Sequence, residues 1–153
     1  MTDHVSFDMA KKLHDAGVRV ESRTAWSCEP STKKYQLLPV NDRKYRNRCA
    51  KEYHNWGIGE EINPPYPAPS IGELLDALPR TIQTTSGTYY LGFIAYSDFC
   101  ANYFSYNKSG EYDKNLFDHV EADTLPDALA ELLLWCVECG HVPAEQTQTC
   151  RTG

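Results

Sequence analysis

An α+β fold, an antiparallel sheet of three or more strands with helices packed on one face, is the architecture this chain predicts. Three observations carry the prediction. Thr88–Tyr96 and Ala101–Tyr106 are aromatic-rich, period-two segments of strand length. Leu116–Glu121 follows as a third strand candidate. Thr124–Gly140 then reads as one strongly apolar helix, with Leu125, Leu129, Leu132, Leu133 and Cys136 on a single stripe. From Ser70 onward the order is helix, strand, strand, strand, helix. Its cheapest packing lays both helices on one face of the sheet.

The elements follow from local signals. Ser6 caps a first helix whose apolar members are Phe7, Met9, Ala10, Leu13 and Ala16. Val5 and Ala10 occupy the positions of a hydrophobic staple, and Gly17 is the stop. Val18 and Val20 are expected to open a short strand. Trp26–Thr32, with Pro30, reads as a loop, and Tyr35–Leu38 as a strand ended by Pro39. In Asn41–Trp56, Tyr45, Cys49, Tyr53 and Trp56 recur at helical spacing among basic residues, so the segment is either a basic amphipathic helix or an ordered loop. Gly57–Pro69 is too rich in Pro for helix or central strand and reads as an extended connector. Ser70–Glu73 has capping-box spacing, Ile71, Leu74, Leu75 and Leu78 form the stripe behind it, and Pro79 limits the helix. Gly87 marks a turn. The two faces of Tyr89–Tyr96 are equally apolar, which predicts a central strand or one covered on both sides. Asn107–Gly110 is a further turn, and Thr124–Asp127 a second capping box. The chain thus divides into residues 1–63, a helix plus an irregular basic-aromatic segment, and residues 64–153, an α-β-β-β-α core. The two together are expected to form one compact domain of 153 residues.

Charge is distributed unevenly. Residues 1–56 carry 11 Lys/Arg and 7 Asp/Glu, a net +4, whereas residues 57–153 carry 4 and 14, a net −10. An acidic module of this kind repels nucleic acid and suits a basic partner. No run is long and apolar enough to span a bilayer, and the opening Met-Thr-Asp-His lacks the layout of a secretory signal, so the expected location is the cytoplasm. The six cysteines are accordingly expected as reduced thiols.

No phosphate-binding loop, nucleophile elbow or zinc-protease helix occurs, so neither an enzyme nor a cofactor is predicted. Cys136-x-x-Cys139 with His141 is the nearest approach to a metal site. Both thiols lie inside the strongest helix signal and no second ligand pair completes the set, so apolar packing explains them better and no metal is predicted. His119 sits among Asp118, Glu121 and Asp123, but neighbouring strand positions point to opposite faces. The least ordinary segment is the basic-aromatic one: Arg43, Arg46, Arg48, Tyr53 and Trp56 could bind phosphate and stack a base, which makes a small nucleotide-type ligand the alternative expectation. Ten tyrosines suit a recognition surface, and Tyr90, Tyr96 and Tyr106 are the partner-binding candidates on the sheet.

Two blocks carry a resemblance. Tyr66–Leu75 with Leu78-Pro79, and Asp123–Leu132 with Trp135 and Gly140, resemble blocks in small phage and prophage proteins that have no assigned activity; Met9–Leu13 with Ala16-Gly17 is similar too. The resemblance covers about half the chain, rests on caps, stripes and stops, and brings no functional residue with it. It implies a mobile-element accessory protein acting on a host system. Asp123–Leu129 after strands also resembles the HicB-type antitoxin core, which implies an antitoxin-like binding module. The chain lacks an obvious DNA-binding tail, and its long basic first third departs from that pattern. The expected function is therefore a non-enzymatic phage or prophage accessory protein binding a host macromolecule, most simply a host protein, and inhibiting a host defence system.

Overall fold

Hydroxyl caps set the helix starts in the computed structural model, which describes residues 3–29, 31–43, 65–95, 97–117 and 121–142. Helix α1 (Phe7–Asp15) begins at Ser6, whose hydroxyl accepts from the Met9 amide at 3.2 Å. In α2 (Ile71–Ala77) the box closes both ways: Ser70 Oγ accepts from Glu73 N at 3.2 Å and Glu73 Oε1 from Ser70 N at 2.9 Å. Helix α3 (Leu125–Glu138) starts at Thr124 and ends just before Gly140, which takes a left-handed φ of 78° that favours glycine.

The α3 box closes only one way. Thr124 accepts from the Asp127 amide, but the Asp127 carboxylate accepts from Ser6 N at 2.9 Å instead of turning back on its own cap. That bond joins the starts of α1 and α3. The second link between them, Lys12 to Glu131 at 2.7 Å, faces solvent and contributes little. Asp127→Ala is expected to cost about 1.5 kcal/mol, because it orphans a half-buried amide. A thermal melt should show a fall of about 4 °C, and Lys12→Ala almost none.

The described strands form two antiparallel sheets. β1 (Thr24–Cys28), β2 (Tyr35–Pro39) and β3 (Tyr66–Pro67) lie in the order β2-β1-β3. β4 (Thr81–Thr84), β5 (Gly87–Ala95), β6 (Phe99–Tyr106) and β7 (Tyr112–Asn115) lie in sequence order. The α+β class and the multi-stranded antiparallel sheet are as expected, and four details differ. Trp26–Thr32 is not all loop, since β1 runs through Cys28 and only the hairpin end is irregular, closed by Glu29 N to Lys34 O at 2.7 Å. The tertiary reason is Trp26: its ring meets Phe7 edge-on and its Nε1 donates to Val5 O at 3.1 Å. Val18 and Val20 are buried in the core without forming a strand. Thr81–Thr84 adds a strand through a tight turn onto Gly87, so the order becomes helix, four strands, helix. Finally, Tyr112–Asn115 forms a strand that Leu116 and Phe117 do not continue, for a reason given below, while residues 118–120 of the expected Leu116–Glu121 strand lie outside the described residues.

One buried cluster joins the three helices to β3, β4, β5 and β6, and β1 and β2 pack on it through Trp26 and Tyr35. Leu129, Leu132, Leu133 and Cys136 of α3 are fully buried, together with Val5, Leu74 and Tyr103. α3 lies on β6, α2 lies against α3, and α1 touches both α3 and β3. No helix among the described residues is long and apolar enough to cross a membrane.

Candidate functional site

Strand register divides the four-stranded sheet into two unlike faces. Directly paired residues share a face. Ile82 pairs with Tyr89 and Leu91 with Tyr103; this is the face under α3, and Ile82, Tyr89 and Tyr103 are all buried. The opposite face carries the pairs Tyr90–Phe104, Gly92–Asn102 and Ile94–Cys100. It holds a groove of about 440 Å³, a size usual for small-ligand or side-chain recognition. Tyr90, Ile94, Tyr106 and Tyr112, on or beside this groove, are 39–56% exposed and are four of the six exposed large hydrophobics among the described residues; Phe93 also borders the groove, although its pairing with Ala101 assigns it to the other face. Such clustering marks an interaction surface better than isolated exposed residues would.

Two backbone features shape the groove. A bulge at Ser105/Tyr106 breaks the β6–β7 register, so Tyr106 pairs with Tyr112. Without it, alternation would turn Asp113 to this face and Tyr112 to the other. The bulge thus brings Tyr112 to Tyr106 and Phe104; its ring meets Phe104 edge-on at 5.9 Å, and its hydroxyl donates to Asn115 Oδ1 at 2.6 Å. The other feature is Gly92. A Cβ there would lie 3.1 and 3.2 Å from the Phe104 ring, so glycine lets that ring lie down on the sheet and leaves space above it.

Asn102 accounts for the end of β7 at Asn115. Its side chain is 1% exposed, although its register places it on the open face. Its Nδ2 donates to Phe117 O at 2.8 Å, while its Oδ1 accepts from Phe117 N at 2.9 Å and Tyr103 N at 2.8 Å. A side-chain amide therefore does what a ladder would do beside Leu116-Phe117, and the regular strand stops at Asn115. Ala122 also pairs with β6, exchanging backbone bonds with Phe99 at 2.8 and 2.9 Å. That bridge holds the neighbouring Glu121 at the mouth of the groove, with Asp98 also on its lining.

The groove is apolar with an acidic end. Asp98 and Glu121 line it, and no Lys or Arg does so among the described residues. Burial, and then the Glu121 carboxylate, push the Cys100 thiol up from 9.0. The thiol therefore stays protonated near neutral pH and is a poor nucleophile. On the covered face the Tyr103 hydroxyl donates to Pro79 O at 2.6 Å, and Trp135 stacks over Tyr103 and Phe117. Cys136 is buried beside Tyr103, whereas Cys139 is exposed, so α3 turns the two thiols into different surroundings. Among the described residues no three His, Cys, Asp or Glu side chains converge as a metal set requires.

The sequence-predicted residues fall as follows. Tyr90 and Tyr106 are exposed on the open face with rings 6.2 Å apart. Tyr96 lies outside the described residues, as do Arg46, Arg48, Tyr53 and Trp56 of the basic-aromatic segment; Arg43 is exposed. Asp118 and His119 also lie outside them. Gly92, Phe104 and Tyr112 are site residues the sequence reading does not single out, and it names Glu121 only as a neighbour of His119. The first two could have been found by folding Tyr90–Ile94 back on Cys100–Tyr106 as a hairpin; the bulge that turns Tyr112 leaves no comparable mark. No family model, curated protein or solved structure matches the chain.

Proposed function

We propose that this chain is a non-enzymatic binding protein, of phage or prophage accessory type, that docks a basic region of a host protein on the open face of its four-stranded sheet. The observation that carries this reading is the gathering of Tyr90, Ile94, Tyr106 and Tyr112 on or beside a groove whose charged lining is acidic. Tyrosine supplies rigid contact area with a polar tip, at a small ordering cost. Acidic side chains at the mouth speed encounter with a basic partner and disfavour acidic ones. Occupying a surface in this way is sufficient to inhibit a host component, and it requires no reactive group.

The test compares the wild type with a Tyr90→Ser/Tyr106→Ser/Tyr112→Ser variant, each immobilised and exposed to bacterial lysate. At low ionic strength the wild type is expected to retain a defined basic protein. The variant should lose it while its unfolding free energy stays within about 1 kcal/mol of the wild type's. Retention should weaken as salt shortens the screening length from ~30 Å to ~3 Å. Equal capture by both proteins would refute the docking role of this face.

A further inference from the structure

We infer that the groove reads an extended partner segment bearing Arg or Lys at one position and an aromatic residue four positions later. This rests on the docking reading above and specifies its chemistry. The groove is polarised along β6. Glu121 and Asp98 stand near Cys100, where the Phe99–Ala122 bridge fixes the backbone, whereas Phe104 and Tyr112 form an aromatic floor and wall at the other end. Cys100 and Phe104 are four residues apart on one strand, about 13 Å. An extended segment lying along the groove turns every second side chain down onto the sheet. Its first downward residue meets the two carboxylates beside Cys100 and Ile94, its middle one meets Gly92 and Asn102, and its last meets Phe104 and Tyr112. Gly92 makes room for the middle residue, because any Cβ there must push the Phe104 ring upward into the groove. A carboxylate in place of the cation would face Glu121 and Asp98 with no basic lining residue to offset them.

The probe is the capped pentapeptide acetyl-Arg-Ser-Leu-Ser-Phe-amide, titrated into the ¹⁵N-labelled full chain and followed by amide chemical shifts. Its comparator replaces Arg with citrulline, which keeps the shape and removes the charge. The Arg peptide is expected to shift Gly92, Cys100 and Phe104, and the citrulline peptide to bind about fivefold more weakly. Glu121→Gln should erase that difference without abolishing binding. Gly92→Val should weaken both peptides, and an unchanged fold would be read from undisturbed shifts of α3. Equal affinity for the two peptides, shifts confined to other surfaces, or no shifts at millimolar peptide would each overturn the inference. Loss of lysate capture in the tyrosine variant combined with equal peptide affinities would leave the docking face standing and remove only its charge-reading. Unchanged capture in that variant would remove the docking face whatever the peptides do.

Discussion

Asn102→Ala is expected to destabilise the protein by about 3 kcal/mol, far more than a typical polar substitution. The side chain is 1% exposed and makes three hydrogen bonds, two of them to the amide and carbonyl of Phe117. Alanine leaves the Phe117 and Tyr103 amides buried without this acceptor, and each such loss costs about 1–3 kcal/mol. The Phe117 carbonyl is better protected, because Asn115 Nδ2 also donates to it at 2.8 Å. That redundancy supplies the control: Asn115→Ala should cost under about 1 kcal/mol. In urea the midpoint of Asn102→Ala should fall by about 1–2 M. Hydrogen exchange should show protection lost first at Leu116, Phe117 and Ala122, the stretch that the amide ties to β6. A wild-type midpoint for Asn102→Ala would mean that water or another group satisfies Phe117, and that β7 ends at Asn115 for some other reason.

The contrast between Asn102 and the helix caps explains how much of the fold is legible in the amino-acid sequence. Ser6, Ser70 and Thr124 act on amides within their own next turn, so a local pattern suffices to place three helices. Gly17 and Gly140 stop their helices at left-handed φ for an equally local reason. Sheet details depend on partners distant in sequence. Trp26 sits in a strand because Val5 O and the Phe7 ring meet it, and nothing between Trp26 and Thr32 announces those partners. Asn102 replaces a ladder for residues 15 positions away. Asp127 breaks its own capping box to reach Ser6, which no reading of Thr124–Asp127 alone could foresee. The site was half legible on the same grounds. Tyr90 and Tyr106 stand out as tyrosines on strands, but Gly92 gains its meaning only when Phe104 is laid across it.

Raising the pH above 9 is expected to unfold the protein progressively, and the covered face of the sheet is the cause. Burial pushes the Cys136 thiol up from 9.0 to about 12, against a smaller opposing pull from the Tyr103 hydroxyl. Burial first, and then the adjacent Cys136, raise the Tyr103 phenol well above its ordinary 10.0. Both groups are neutral in the fold, and both can ionise in the unfolded chain at their ordinary values. Stability from these two groups is therefore complete below pH 9. It declines between pH 9 and 12 as the unfolded chain releases protons that the fold retains, and it is lost as the pH passes through the raised values. Each group contributes a slope of up to about 1.4 kcal/mol per pH unit within its window, with Cys136 acting first, alongside the raised Cys100 thiol, and Tyr103 joining above pH 10. Urea titrations at a series of pH values from 7 to 11.5 measure the slope directly. Cys136→Ala should lower stability at pH 7 by about 1 kcal/mol through the small cavity it leaves. Its decline between pH 9 and 10 should be shallower than the wild type's, so its curve should approach the wild type as the pH rises. Tyr103→Phe should keep the early slope and lose the later one. Parallel curves for all three proteins would mean that water already reaches the thiol and the phenol. That would be incompatible with α3 lying closed over β6, and the open groove would then no longer be the distinctive face of the sheet.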